Sequence, residues 1–253
     1  MDPFKSLHYQ EKPLHLGNVW DLQSALLYQN MGFQAIGTSS AAVASSLGYE
    51  DGEKLPFERL VTLIKEIKPR INIPLTVDIE GGYSRDASQI FANIKTLHQI
   101  GVVGINLEDS VTNAEREILD AKDFSLTIQK IKSLLSRDNI NIFLNIRTDP
   151  YLMGLENPLQ TTLERIKLYE GVGADGIFVP CVVQKEEIAK ITQSVSLPVN
   201  VMCMPDLPSF ETLGKLGVKR ISEGNFVYNK VVSDLEKMAS LVVQNGSFET
   251  LFK

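Results

Sequence analysis

The chain predicts a single-domain α/β fold, the (β/α)₈ or TIM barrel, on three observations. Short apolar runs alternate with longer amphipathic stretches from one end to the other, and eight such cycles are countable. A glycine recurs between helical pattern and following strand, at Gly32, Gly101, Gly173 and Gly217, where a helix C-terminus needs the left-handed conformation to turn back. The length, 253 residues, suits one barrel of about 250 residues. An open doubly wound sheet normally has five or six strands, and no G-x-G-x-x-G follows the first strand, so a dinucleotide fold is disfavoured.

The strands are predicted at 15–20, 35–40, 75–80, 104–109, 141–149, 176–180, 198–202 and 220–224, each followed by a helical pattern. After the fourth, the acidic stretch 115–123 reads as a solvated loop or helix start and a candidate lid. The tail 226–253 reads as a last helix with extra length, available to a neighbouring subunit.

The net charge of −6, from 31 acidic and 25 basic residues spread along the chain, offers no basic stripe for nucleic acid or anionic lipid and points to a small-molecule partner. No apolar run approaches the roughly 18 residues of a membrane span. Cys181 and Cys203 form no C-x-x-C pair, and the N-terminus carries no long apolar signal region, so a reducing, cytoplasmic setting is expected.

In a barrel of this class the C-terminal ends of the strands form the active face. Here they carry Trp20-Asp21, Ser39-Ser40, Asp78-Ile79-Glu80, Glu108-Asp109, Arg147-Thr148-Asp149, Asn200 and Glu223. Asp78 and Glu80, two apart on one strand, are expected to face the same side, with Glu108 at the end of the next strand. Three converging carboxylates suit a hard divalent cation with retained waters, Mg²⁺ or alternatively Mn²⁺. No Cys or His joins them, which argues against zinc, and His8, His15 and His98 are poorly placed as general bases. Arg147 can clamp a carboxylate with its planar fork. A metal beside an arginine reads as a site for a 2-oxo acid. Simpler readings stand beside these: Ser39 and Ser40 as a helix cap, Trp20 as rim packing, Arg147 as an ion-pair partner of Asp149 or Glu108, and both cysteines as small hydrophobes.

The segments G-N-V-W-D from Gly17, T-S-S-A-A-V-A-S-S-L-G-Y-E-D from Thr38, V-D-I-E-G-G-Y from Val77, G-V-V-G-I-N-L-E-D from Gly101 and I-R-T-D from Ile146 resemble successive signatures of the isocitrate lyase / phosphoenolpyruvate mutase superfamily. G-A-D-G-I-F-V-P from Gly173 and L-G-V-K-R-I-S from Leu216 are similar to its later strands. The resemblance implies a barrel whose eighth helix is exchanged between subunits of a homotetramer, a dimer of dimers, that binds Mg²⁺. It implies Asp78 as principal metal ligand, Glu80 and Glu108 in the metal's water shell, and Asp51 nearby. It further implies that Ser39, Ser40 and Ala41 hold the substrate carboxylate and 2-oxo group, that Trp20 walls the pocket, and that Arg147 binds the other end. Arg147, Ser39 and Asp51 are the candidate catalytic groups, and Asn200 a further substrate-binding candidate.

The chain departs from that pattern after strand four. Where isocitrate and methylisocitrate lyases carry Lys-Cys-Gly-His, it has S-V-T-N-A-E-R-E-I-L-D-A-K-D from Ser110, and of the Lys and Asn used by phosphonate members only Asn113 is at hand. The expected activity is therefore decarboxylation, hydrolysis or retro-aldol cleavage of a small 2-oxo or 2-hydroxy dicarboxylate. The alternatives are a phosphonopyruvate-type P–C bond enzyme and a catalytically silent 2-oxo acid binder.

Overall fold

A computed structural model describes residues 2–112 and 115–252. The barrel strands are β1 (Leu14–Val19), β2 (Ile36–Thr38), β3 (Leu75–Asp78), β4 (Gly104–Glu108), β7 (Phe143–Arg147), β8 (Gly176–Val179), β9 (Val199–Met202) and β10 (Arg220–Ser222). They close in the order β1-β10-β9-β8-β7-β4-β3-β2, and every pair is parallel. All eight predicted strands are present, and several are shorter than expected because the chain turns at the barrel mouth. The segment 35–40 leaves the sheet at Ser39, which caps a helix, and 141–149 is extended only as Phe143–Arg147.

The helices are α1 (Pro3–Ser6), α2 (Leu22–Asn30), α3 (Ser40–Ser46), α4 (Phe57–Ile67), α5 (Ala87–Ile100), α6 (Ala121–Arg137), α7 (Pro158–Gly171), α8 (Lys185–Ser194), α9 (Phe210–Lys215) and α10 (Phe226–Asn245). The four glycines singled out all have positive φ, and Gly101 is a left-handed C-cap of α5. The stretch after β4 matches expectation only in part: the helix start is present, with Asp120 capping α6, but in place of an open loop β5 (Ser110–Thr112) pairs antiparallel with β6 (Arg116–Ile118) as a hairpin.

The main core lies between sheet and helices, built of β-strand Val, Ile and Leu against α4, α5, α6, α7 and α8. A second, smaller core closes the barrel's N-terminal end. Phe4 of α1 packs there with Leu14, Leu16, Ala35 and Phe143, and its ring occupies the space where a Cβ on Gly104 would stand. His8 stacks on Phe143 with centroids 4.3 Å apart and planes 10° from parallel. Its Nδ1 lies 3.1 Å from Phe4 O, which assigns that nitrogen as donor, while the buried Nε2 has no partner among the described residues. Among the described residues no helix is long and apolar enough to cross a membrane.

Two outcomes follow from this plug. Phe4→Ala removes a buried aromatic and is expected to destabilise the protein by about 3–5 kcal/mol, read from chemical denaturation. Burial, aided by the charge of Arg220, lowers the His8 pKa to about 3, below the ordinary 6.5. The unfolded chain therefore takes up a proton that the native state refuses, so His8 stabilises fully above pH about 6.5 and less as pH falls toward about 3. Stability measured across that window is expected to fall less steeply in His8→Phe.

Candidate active site

Because inward and outward side chains alternate along a strand, the barrel interior takes Asp78 of β3, Asn106 and Glu108 of β4, Asn145 and Arg147 of β7, Asn200 of β9 and Arg220 and Ser222 of β10. These polar groups, drawn into a barrel, must bond to one another. Asn106 Nδ2 donates to Asp78 Oδ2 at 3.0 Å, Asn145 Nδ2 to Asn106 Oδ1 at 2.9 Å and to Asn200 Oδ1 at 3.2 Å, and Asn200 Nδ2 to Ser222 Oγ at 3.1 Å. Asp78 Oδ1 accepts from the Glu80 N–H at 3.0 Å, and the Asp78 N–H donates to Thr38 Oγ1 at 2.9 Å. Asp78 is thus fixed by three partners, Asn106, Glu80 and Thr38, at the floor of a cavity of about 590 Å³.

β3 ends at Asp78, so Glu80 does not continue its face as an i, i+2 neighbour. Glu80 has φ +51, a conformation a non-glycine residue holds only under constraint. The constraint is visible: its N–H is bound by Asp78, and its carbonyl accepts from Glu108 N at 2.9 Å. Its carboxylate accepts the Glu53 N–H at 2.7 Å. Glu53 in turn accepts from Tyr83 N at 2.7 Å and pairs with Arg85, so the loop bearing Asp51 is tied to the end of β3. At Gly52 (φ +93) a Cβ would stand 2.6 Å from Thr112 Cβ, so only glycine lets this loop pack on the hairpin.

A second network surrounds Glu108, whose side chain is 3% exposed. Arg147 Nη1 contacts its Oε2 at 2.8 Å, and Arg116 Nη1 its Oε1 at 2.5 Å. Asp149 accepts Arg147 Nε at 2.6 Å and Nη2 at 3.1 Å, Ser110 Oγ at 2.5 Å, and more distantly Arg116 Nη1 at 3.4 Å. Asp149 is itself seated by Asp109, which takes its N–H at 3.0 Å, Thr148 Oγ1 at 2.6 Å, and Arg165 Nη1 and Tyr169 Oη at 2.8 Å each. Asp109 lies outside the barrel wall and joins β4 and β7 to α7.

The carboxyl groups repel one another. Burial and then the charges of Asp51, Glu108 and Asp78 push Glu80 up to about 8. Burial and then Asp78 raise Asp51. Burial likewise raises Glu108, against the pull of Arg147 and Arg116. Among the described residues no three Asp, Glu, His or Cys side chains stand together as a ligand cage. A small hard cation that keeps several waters and takes one or two protein carboxylates needs no such cage, and its charge would relieve this repulsion. Asp78, with both oxygens oriented and facing the cavity, is the residue best placed to hold it.

Of the other candidates, Ser39, Ser40, Ala41, Asp51 and Arg147 line the cavity, and Ser39 also caps α3 through its Oγ to Ala42 N at 3.3 Å. Trp20 lies off the lining, its ring edge-on to Tyr228 at 5.2 Å between centroids. Asn200 is buried beneath the floor and spans Asn145 and Ser222 rather than reaching the cavity. Glu223 closes the β1/β10 seam, accepting from Asn18 N at 3.2 Å, pairing with His15 at 3.0 Å and taking the Tyr28 hydroxyl. Partial burial raises both cysteine thiols, Cys181 and Cys203, which are free and half-buried. Asn113 falls outside the described residues. Residues not singled out are Asn18 and Asn106, with Glu115 and Arg116 of the stretch read as a candidate lid, all on the lining. Asn106 was discoverable from its i, i+2 parity with Glu108; Arg116 had no such signal, because only the hairpin turns it inward.

The phosphoenolpyruvate phosphomutase family profile matches residues 4–243. An uncharacterised protein of Mycobacterium tuberculosis (H37Rv) is 37% identical over 226 residues, 89% of this chain and 83% of that one. Oxaloacetate decarboxylase of Pseudomonas savastanoi pv. phaseolicola is 24% identical over 232 residues, 89% of this chain and 78% of the enzyme. The crystal structure of a Burkholderia cenocepacia J2315 protein, assigned as a phosphonomutase, superposes with a TM-score of 0.88 at 33% identity, covering 94% of this chain and 97% of that one.

Asp149→Ala leaves the Arg147 guanidinium short of its bidentate partner in a buried setting, and a loss of about 3–5 kcal/mol is expected in thermal or denaturant unfolding. A loss below about 1 kcal/mol would show that Arg147 is not held by this pair.

Proposed function

Because this chain belongs to the phosphoenolpyruvate mutase/isocitrate lyase superfamily, we propose that it is a Mg²⁺-dependent lyase or hydrolase that cleaves a C–C bond next to a 2-oxo or 2-hydroxy acid, in the manner of an oxaloacetate decarboxylase or an acylpyruvate hydrolase. The observation that carries the reading is Asp78: a carboxylate held by Glu80 N and Asn106 at the floor of a cavity whose wall also carries Arg147 and Arg116. Asp78 would hold the cation, and Glu80 and Asp51, which lie close enough to feel the charge of Asp78, would be relieved by it. Bound there, Mg²⁺ supplies Lewis acidity to the 2-oxo oxygen. The first turn of α3, where Ser40 and Ala41 line the cavity, offers N–H groups to the substrate carboxylate, since a helix start leaves its first amides without intrahelical acceptors. Arg147 supplies fixed positive charge against developing negative charge, and Phe178 and Met202 exclude water from one side. The exposed Val231, Val232, Leu235, Met238 and Leu241 of α10 support a homo-oligomeric assembly in which a second subunit covers that helix.

A phosphonopyruvate-cleaving activity is the second reading, favoured by the 33% identity to the Burkholderia protein assigned as a phosphonomutase. The two are separated by following pyruvate and phosphate release from oxaloacetate, acylpyruvates, methylisocitrate and phosphonopyruvate. Turnover of a 2-oxo acid without phosphorus is expected, lost on chelation, restored by Mg²⁺, and reduced in Asp78→Ala by more than the roughly hundredfold typical of an outer-sphere partner. Phosphate release from phosphonopyruvate alone would favour the second reading. Silence across the panel with Mg²⁺-dependent oxalate binding would make the protein a non-catalytic binder.

A further inference from the structure

We propose that Arg116 is the specificity-determining residue of this site: its guanidinium receives a second carboxylate, remote from the 2-oxo group, so that the protein selects 2-oxo dicarboxylates over 2-oxo monocarboxylates. This rests on the functional reading above and adds the residue that decides the substrate class.

The two arginines of the cavity are used differently. Arg147 has Nε and Nη2 on Asp149 and Nη1 on Glu108, so each of its nitrogens already faces a protein carboxylate. Arg116 is engaged through Nη1 alone, on Glu108 at 2.5 Å, Ser110 Oγ at 2.8 Å and Asp149 at 3.4 Å. Its Nη2 comes only within 3.6 Å of Asp51, and Nε has no hydrogen-bond acceptor among the described residues. Nε and Nη2 form one edge of the guanidinium, the edge a carboxylate meets with two parallel hydrogen bonds. That edge belongs to a side chain on the cavity lining that is 21% exposed, enough for a ligand to reach.

The edge is also held in place. Arg116 stands opposite Thr112 in the hairpin ladder, Thr112 packs against Gly52, and Glu108 anchors the Nη1 end. A receptor mounted on paired backbone discriminates better than one on a free loop, because a ligand lacking the second carboxylate gains nothing from it. A charged hydrogen-bonded contact of this kind corresponds to about ten- to hundredfold in affinity.

The test is calorimetric titration of the full chain in Mg²⁺ buffer with pyruvate, 3,3-difluorooxaloacetate and phosphonopyruvate, for wild type, Arg116→Gln and Arg116→Lys. Wild type is expected to prefer the difluoro dicarboxylate to pyruvate. In Arg116→Gln that ligand should weaken by about tenfold or more while pyruvate stays within about twofold, and Arg116→Lys should retain part of the preference. No preference in wild type, an equal loss for both ligands, or no loss for either would overturn the proposal. So would a loss confined to phosphonopyruvate. Should Arg116→Gln fail to fold, Arg116→Lys decides alone: reduced selectivity supports the proposal and unchanged selectivity overturns it. Wild type that binds none of the three would instead remove the 2-oxo acid reading on which the proposal stands.

Discussion

Glu108 is buried between two guanidinium groups, and the arrangement of the barrel mouth follows from keeping that carboxylate and its neighbours paired. A carboxylate taken from water is tolerable only with compensating charge and hydrogen bonds. Arg147 supplies one partner from the next strand, and Arg116 supplies the other from the hairpin that follows Glu108 itself. Arg147 then needs Asp149, and Asp149 needs Ser110 and the backbone geometry set by Asp109. Because β4 alternates, Glu108 turns into the barrel and Asp109 out of it, so two adjacent acids hold the inside and outside of the same corner.

Beneath this lies a layer of amides. Asn106, Asn145 and Asn200 pass hydrogen bonds around the interior from Asp78 to Ser222. An all-apolar interior would pack as densely but leave Asp78 free to turn. Asp78 accepts from Asn106, which orients that amide and, through it, the rest of the chain. Deeper still, Arg220 is buried, among the described residues with only a 3.4 Å side-chain hydrogen bond from Nη2 to Asn106 Oδ1, and burial lowers its pKa to about 9. The ionic character of the site therefore extends well below the cavity, toward the Phe4 and His8 plug.

The upper wall is made of two segments, the loop bearing Asp51 and the β5/β6 hairpin. The Asp51 loop is fastened to the end of β3 through Glu53, and to the hairpin through the close approach of Gly52 and Thr112. Together they cover this corner of the barrel and present Arg116 on the cavity lining.

The fold class and the positions of all eight strands were legible in the amino-acid sequence, because alternation of apolar runs and the helix-ending glycines are local properties that parallel barrel packing imposes directly. So were Asp78, Ser39, Ser40 and Arg147 as members of one cavity, since barrel geometry brings strand ends together whatever lies between them, while Ala41 and Asp51 were implied by the family resemblance alone. Tertiary structure alone decided which of the polar strand-end residues face that cavity. Trp20 turned to α10, Asn200 dropped into the amide layer and Glu223 took the β1/β10 seam, each for a partner distant in sequence. It also decided that Glu80 leaves the strand and that Arg116 enters the site, because a left-handed turn and a hairpin are fixed by contacts with Asp78, Glu53 and Glu108 that no short window of sequence contains.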